Sequence, residues 1–188
     1  DQFIRVPSDK AIYSNLIPLD SLKVSIRELD LVDIEGKPYY WINNNRLYSA
    51  KTGNIKNGIT EKEAISIAQE NLIEELILDH VEYLTETNSH HEYRGQSLPA
   101  YAIHYKNKDL LVAYVDAKSG IFKKVRHQSW RWFDFLWMGH TMDYQGRDNF
   151  NNILLRIFSL FGVFTVLSGF VLWGTSSATI IKFLNRNS

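Results

Sequence analysis

Between Ile153 and Trp173 the chain runs for 21 residues with a single formal charge, Arg156. No other stretch restricts the fold so much. At 1.5 Å rise per residue the run makes a helix about 31 Å long, close to the thickness of a bilayer's hydrocarbon core. Trp130, Trp132, Trp137 and Tyr144 precede it and Trp173 closes it, the pattern of aromatic belts at both membrane interfaces. Arg156 falls in the first turn, where a long side chain can snorkel to the headgroups. The run predicts one transmembrane helix over 151–174, an aromatic interfacial segment over 128–150 and a short tail over 175–188. The competing reading is a buried helix of a soluble domain, since the wholly uncharged part, Phe158 to Trp173, is only 16 residues long.

Within the apolar run, Gly162, Thr165 and Gly169 fall at i, i+3 and i+7, with Ser159 one turn earlier. Small residues on one face let a second helix approach closely, so this stripe is the candidate packing face for a partner helix. Charge does not settle orientation. Lys182 and Arg186 in the tail are matched by Arg131 and Arg147 on the other flank.

The other residues read as soluble. The 21 basic and 21 acidic residues balance, which leaves no electrostatic footprint for nucleic acid. The absence of cysteine removes disulfides, thiolate metal sites and cysteine nucleophiles. A chain opening on Asp1 reads as a trimmed form that a further membrane helix could precede.

Residues 1–25 read as a connector, with one helical turn expected around Leu19 to Val24. From Arg27 the period changes. Leu29, Leu31 and Val32 or Ile34 predict a half-buried strand, Glu35 to Pro38 a turn, and Tyr39 to Ile42 an aromatic strand. Asn43 to Asn45 turns into a third strand, Arg46 to Ser49. Thr60 with Glu63 forms a capping-box spacing that opens a helix, whose predicted apolar face is Ile65, Ala68, Leu72 and Leu76. Glu70, Glu74 and Glu75 then lie on its solvated side. Strand character resumes at Val81 to Leu84, followed by a polar loop from Thr85 to Ser97. Tyr101 to Tyr105, Leu110 to Asp116 and Ile121 to Val125 complete the strands, with a hairpin turn at Lys106 to Asp109.

One unit recurs. An aromatic strand, a polar turn, a second strand and then Ala50-Lys51-Thr52-Gly53 is echoed about 67 residues later by Ala117-Lys118-Ser119-Gly120. Duplication with an intervening helix predicts an α+β domain of small antiparallel sheets over 26–127, in two related halves of about 26–75 and 76–127.

That unit resembles the PepSY domain. The family's strands end in a D-A-x-[ST]-G turn, matched by Asp116-Ala117-Lys118-Ser119-Gly120; the first copy, Ser49 to Gly53, has Ser in place of Asp. Ile59-Thr60-Glu61-Lys62-Glu63-Ala64, with Ile67-Ala68 after it, is similar to the family's helix opening. Trp137 to Gly169, with His140, Met142, Asp143 and Leu167-Ser168-Gly169, resembles the PepSY-associated transmembrane helix. The likeness extends from about Leu22 to Trp173. It implies a non-enzymatic domain on the extracytoplasmic side of the bacterial cytoplasmic membrane, acting as an accessory or regulatory subunit of a membrane complex. Larger relatives are iron-regulated membrane proteins linked to haem-dependent reduction of iron–siderophore complexes, and others inhibit peptidases. Both activities stand as alternatives here.

Among the six histidines, His140 is the candidate haem ligand, since it lies between Trp137 and Asp143 just before the span and neutral imidazole is a common axial ligand. One helix cannot enclose a haem, so a second would have to complete the pocket. His90 and His91 sit beside Glu92 in the polar loop, but adjacent residues rarely point the same way and no third spaced ligand follows, so no metal site is expected. No nucleophile–base–orienter set and no glycine-rich phosphate loop is present. No catalytic residue is assigned.

Overall fold

In the computed structural model the described residues are 3–5, 12–73, 76–88, 90–106, 109–144 and 149–176. Glu74, Glu75, Arg147, Lys182 and Arg186, and most of the tail, lie outside them. The chain divides into two compact units, Asp1–Trp132 and Phe133–Ser188.

The first unit is α+β. Strands β1 (Leu29–Ile34), β2 (Lys37–Ile42), β3 (Arg46–Ser49) and β4 (Ile55–Lys56) form one antiparallel sheet. Helix α1 (Glu61–Asn71) follows. Strands β5 (Leu78–Leu84), β6 (Ala100–Tyr105), β7 (Val112–Asp116) and β8 (Phe122–Arg126) form a second sheet. In both sheets every strand pairs with its neighbours in sequence, so each is a four-stranded meander, one strand more than the three predicted for the first. The extra strand, β4, is two residues long, too short to carry an alternating pattern.

Turn chemistry explains the tight hairpins. Glu35 and Gly36 both have positive φ, the backbone that the two-residue hairpin between Ile34 and Lys37 requires, and the three-residue loop after Ile42 opens on two more positive-φ residues, Asn43 and Asn44. The side chain of Asn43 also accepts the backbone N–H groups of Arg27 and Glu28, tying the chain's entry into β1 to this turn.

Both faces of β2 are packed, which is why it reads as an unbroken aromatic run rather than an alternating one. Val32, Ile34, Trp41 and Leu47 of the first sheet share one apolar cluster with Ala64, Ile67, Ala68 and Leu72 around α1 and with Ile103, Ala113, Val115 and Val125 of the second. On the opposite face of the first sheet, Tyr40, Ile42, Tyr48 and Ala50 lie under Leu16, Ile17, Leu19, Leu22 and Ile26. The leading segment, including a 3-10 turn at Leu19–Leu22, is therefore part of the core.

Helix α1 opens as its spacing predicts. Thr60 Oγ1 accepts from Glu63 N–H, and Glu63 Oε2 accepts from Thr60 N–H at 2.8 Å. Its buried face differs from the predicted one. Ala64, Ile67 and Ala68 point inward, Ile65 is half-buried, Leu72 is the C-cap and Leu76 lies past the helix end. The longer i+7, i+11 series failed because the helix stops at Asn71, where residues 3–5 pair with the chain around Leu72 through Arg5 N–H to Asn71 O and Ile73 N–H to Phe3 O.

The repeated Ala-Lys-(Thr/Ser)-Gly segments form equivalent turns. Gly53 and Gly120 both have positive φ and donate to the carbonyls of Ser49 and Asp116 at 2.8 and 2.9 Å. The N–H groups of Ala50 and Ala117 donate to Pro38 and Pro99. Their carbonyls accept from Ile17 and Ile59, the residues just before the 3-10 turn and just before α1. By these bonds each copy starts with its helical element and ends with its meander. Helix α1 accordingly packs on β6, β7 and β8.

In the second unit, α3 (Ile153–Ser176) is 24 residues long, has no buried side chain, and is apolar and long enough to cross a membrane. At its start Asn152 Oδ1 accepts from Leu155 N–H, an N-cap, while Asn152 Nδ2 donates to the carbonyls of Thr141 and Asn149. The Arg156 guanidinium turns back to Asn151 Oδ1 at 2.9 Å. Helix α2 (Gln128–Thr141) begins in the first unit and ends in the second.

Candidate functional site

A concavity of about 660 Å³, open to solvent, lies on the second sheet. Its wall comes from β5 and β6. Alternate residues of a strand share a face, so His80 and Glu82 on β5 project together. Register sets His104 of β6 opposite His80 and the small Ala102 opposite Glu82. The His80 and His104 rings stack with centroids 4.1 Å apart and planes 11° from parallel. His80 Nδ1 is 2.9 Å from Asp79 Oδ2, and Asp79 Oδ1 is 3.3 Å from Lys106 Nζ. His104 Nε2 is buried without a hydrogen-bond partner; the nearest carboxylate oxygen, Glu82 Oε2, is 3.9 Å away. Burial, reinforced by His80, holds the His104 pKa below the usual imidazole range.

The floor is Val112 and Tyr114, and Tyr93 stacks on Tyr114 at 4.8 Å. Tyr93 is fully buried although the loop around it is polar. That loop supplies His90, His91 and Glu92 to the rim. His91 Nδ1 accepts from Tyr93 N–H, and His90 is exposed. Arg131, from the first turn of α2, closes the far side. Its Nε and Nη2 reach Glu92 Oε1 and Oε2 at 2.6 and 3.1 Å, and its Nη1 donates to Leu110 O. A forked pair of this kind fixes the loop over the sheet.

Beside the groove, Lys124 of β8 stands opposite Tyr114, its Nζ 5.3 Å from the centre of the Tyr93 ring. Burial first, then the Arg126 and Arg94 charges, push its pKa down to about 8. Arg126 lies 3.8 Å above the Trp130 ring.

The groove thus gathers four imidazoles and three carboxylates round an apolar floor, and no serine, threonine or lysine is among the described residues that line it. Such a lining suits ligand binding. Sequence reasoning singled out His90, His91 and His140, and missed the pair His80–His104. The available signal was the alternation of His80 with Glu82. The pairing itself depends on a hairpin register that a loop as long as 85–99 leaves open.

The residues chosen from sequence lie elsewhere. His140 is exposed near the end of α2, its ring 6.1 Å from Trp137, which meets Phe150 edge-on at 6.1 Å. Ser159, Gly162, Thr165 and Gly169 are all exposed on α3, and the Thr165 hydroxyl donates within the helix to Phe161 O. Trp130 is half-buried beneath Arg126, Trp137 is half-buried, and Trp132, Tyr144 and Trp173 are exposed. His127 packs against Phe3 in the first unit.

Compared with protein-family models, with curated proteins and with solved structures, the chain matches none.

Proposed function

We propose that this chain is a membrane-anchored interaction module of PepSY type, displayed on the extracytoplasmic side of the bacterial cytoplasmic membrane as an accessory or regulatory subunit of a membrane complex. The observation that carries the proposal is α3, a 24-residue apolar helix with no side chain buried within the chain. An apolar surface of that extent needs lipid or another helix around it. The Ser159, Gly162, Thr165 and Gly169 stripe supports a helix partner, because small residues exposed on one face let a second helix approach closely. The duplicated meander and the Asp116 to Gly120 turn support the family reading.

The test is purification from the native membrane in mild detergent, with and without Gly162→Leu and Gly169→Leu. A stoichiometric membrane partner that is lost from the leucine variants supports the proposal. A chain that leaves the membrane with alkaline carbonate, or one that is recovered alone, overturns it.

A second reading, a haem-linked redox subunit, is favoured by His140. Its imidazole is exposed and makes only a ring contact among the described residues, just before the apolar span. A Soret band that disappears in His140→Ala would support this reading; a colourless preparation would remove it.

A further inference from the structure

We propose that His80 and His104, with Glu82 as third ligand, form a binding site for a borderline divalent metal ion such as Zn2+ or Cu2+. Three independent features of the groove converge on this.

The first is placement. His80 and His104 are directly opposed on adjacent antiparallel strands, where side chains come closest, and Glu82 lies two residues along the same face. Two nitrogens bound to a tetrahedral ion at 2.0–2.1 Å are about 3.3 Å apart. The ring centres of such a pair lie farther apart than its nitrogens, so rings stacked at 4.1 Å must splay at their far edges to share an ion. Among the described residues no three ligating groups already converge on one point, so the site closes as the ion enters.

The second is the state of the imidazoles. Asp79 engages Nδ1 of His80, which leaves the Nε2 lone pair as the donor. A carboxylate behind a metal-binding imidazole fixes its tautomer and raises its basicity. His104 Nε2 is buried with no hydrogen-bond partner, and a buried nitrogen left unpaired is costly unless something occupies it.

The third is charge. Asp79, Glu82 and Glu92 face the groove, against Arg131, which Glu92 neutralises, and Lys106, which Asp79 holds. Glu82 is left facing the pair as the carboxylate without a cationic side chain of its own. Two imidazoles and one carboxylate suit zinc or copper and discriminate against calcium and magnesium, which prefer all-oxygen sets.

The experiment is calorimetric titration of the untagged full chain in detergent with Zn2+ alone, repeated with Mg2+. The expected result is saturation at one Zn2+ per chain and no heat with Mg2+. His80→Gln and His104→Gln should each weaken Zn2+ binding at least about tenfold. Glu82→Gln, at an exposed position that the fold does not need, should weaken it several-fold with an unchanged unfolding midpoint. His140→Gln, outside the groove, should leave it unaltered. Absence of 1:1 saturation, or binding kept in the His80 and Glu82 variants, overturns the proposal.

Discussion

The backbone N–H of Ile59 donates to the carbonyl of Ala117 at 2.8 Å, and this bond closes the second copy of the repeat from the end of β7 back to the start of α1. Gly58 sits against the same carbonyl. A Cβ there would lie 2.6 Å from Ala117 O, and Gly58 φ is +76°. Gly58→Ala should lower stability by more than the ~1–2 kcal/mol that left-handed backbone alone costs an L-residue. Gly95→Ala, with φ +71° and nothing within 4 Å, should cost only that backbone increment. Urea unfolding of both variants in detergent measures the difference; equal losses would mean that the Ala117 contact is soft.

Asp116 is the polar centre of the second turn. Its Oδ1 accepts from Lys118 and Ser119 N–H at 2.9 and 2.8 Å, and its Oδ2 accepts from the Ser97 hydroxyl. Asp116→Ala strips all three bonds from a buried site and should destabilise by about 2–3 kcal/mol. Ser49 holds the matching place in the first copy with one longer bond, Thr52 N–H to Ser49 Oγ at 3.3 Å. Ser49→Asp should be neutral or stabilising. A severe loss there would show that the two turns are not interchangeable.

Lys124 should behave as an unusually nucleophilic amine. With its pKa near 8, about half of it is unprotonated at pH 8, against roughly 0.4% for an ordinary lysine of pKa about 10.4. The sign for stability follows from the same shift. A depressed folded-state pKa means the contribution is complete above about 10.4 and is lost as pH falls through about 8. Limited acylation at pH 8 with peptide mapping should modify Lys124 ahead of Lys118 and Lys51. Labelling in proportion to exposure alone would refute this.

Arg131 and Glu92 hold the wall of the groove. Glu92→Gln leaves a half-buried guanidinium with one neutral acceptor in place of a carboxylate and should cost about 1–3 kcal/mol. It should also loosen the loop over Tyr114, read as faster proteolysis around His90 to Arg94. An unchanged cleavage rate would show that Tyr93 packing holds the loop without the ion pair.

Much of the first unit is written locally. The capping box at Thr60 and Glu63, the two Ala-Lys-(Thr/Ser)-Gly turns and the hairpin at Asn43 depend on residues a few positions apart, so spacing alone reveals them. The buried face of α1 was misjudged because its end is set by residues 3–5, far away in sequence. Tyr93 looked like a loop residue because its stacking partner, Tyr114, lies across a strand whose register no short motif records. The His80–His104 pair was hidden for the same reason. The apolar run of α3 was plain, because a helix with no side chain buried in its own chain needs only length and composition to be seen.

The meander topology also carries a kinetic consequence. Every strand in both sheets pairs only with a sequence neighbour, so each sheet can assemble hairpin by hairpin with little loop entropy lost at any step, a low-contact-order route that favours rapid folding. The bond from Ile59 to Ala117 spans a whole copy and belongs to the end of that route. Weakening it should speed unfolding and leave the folding rate almost untouched.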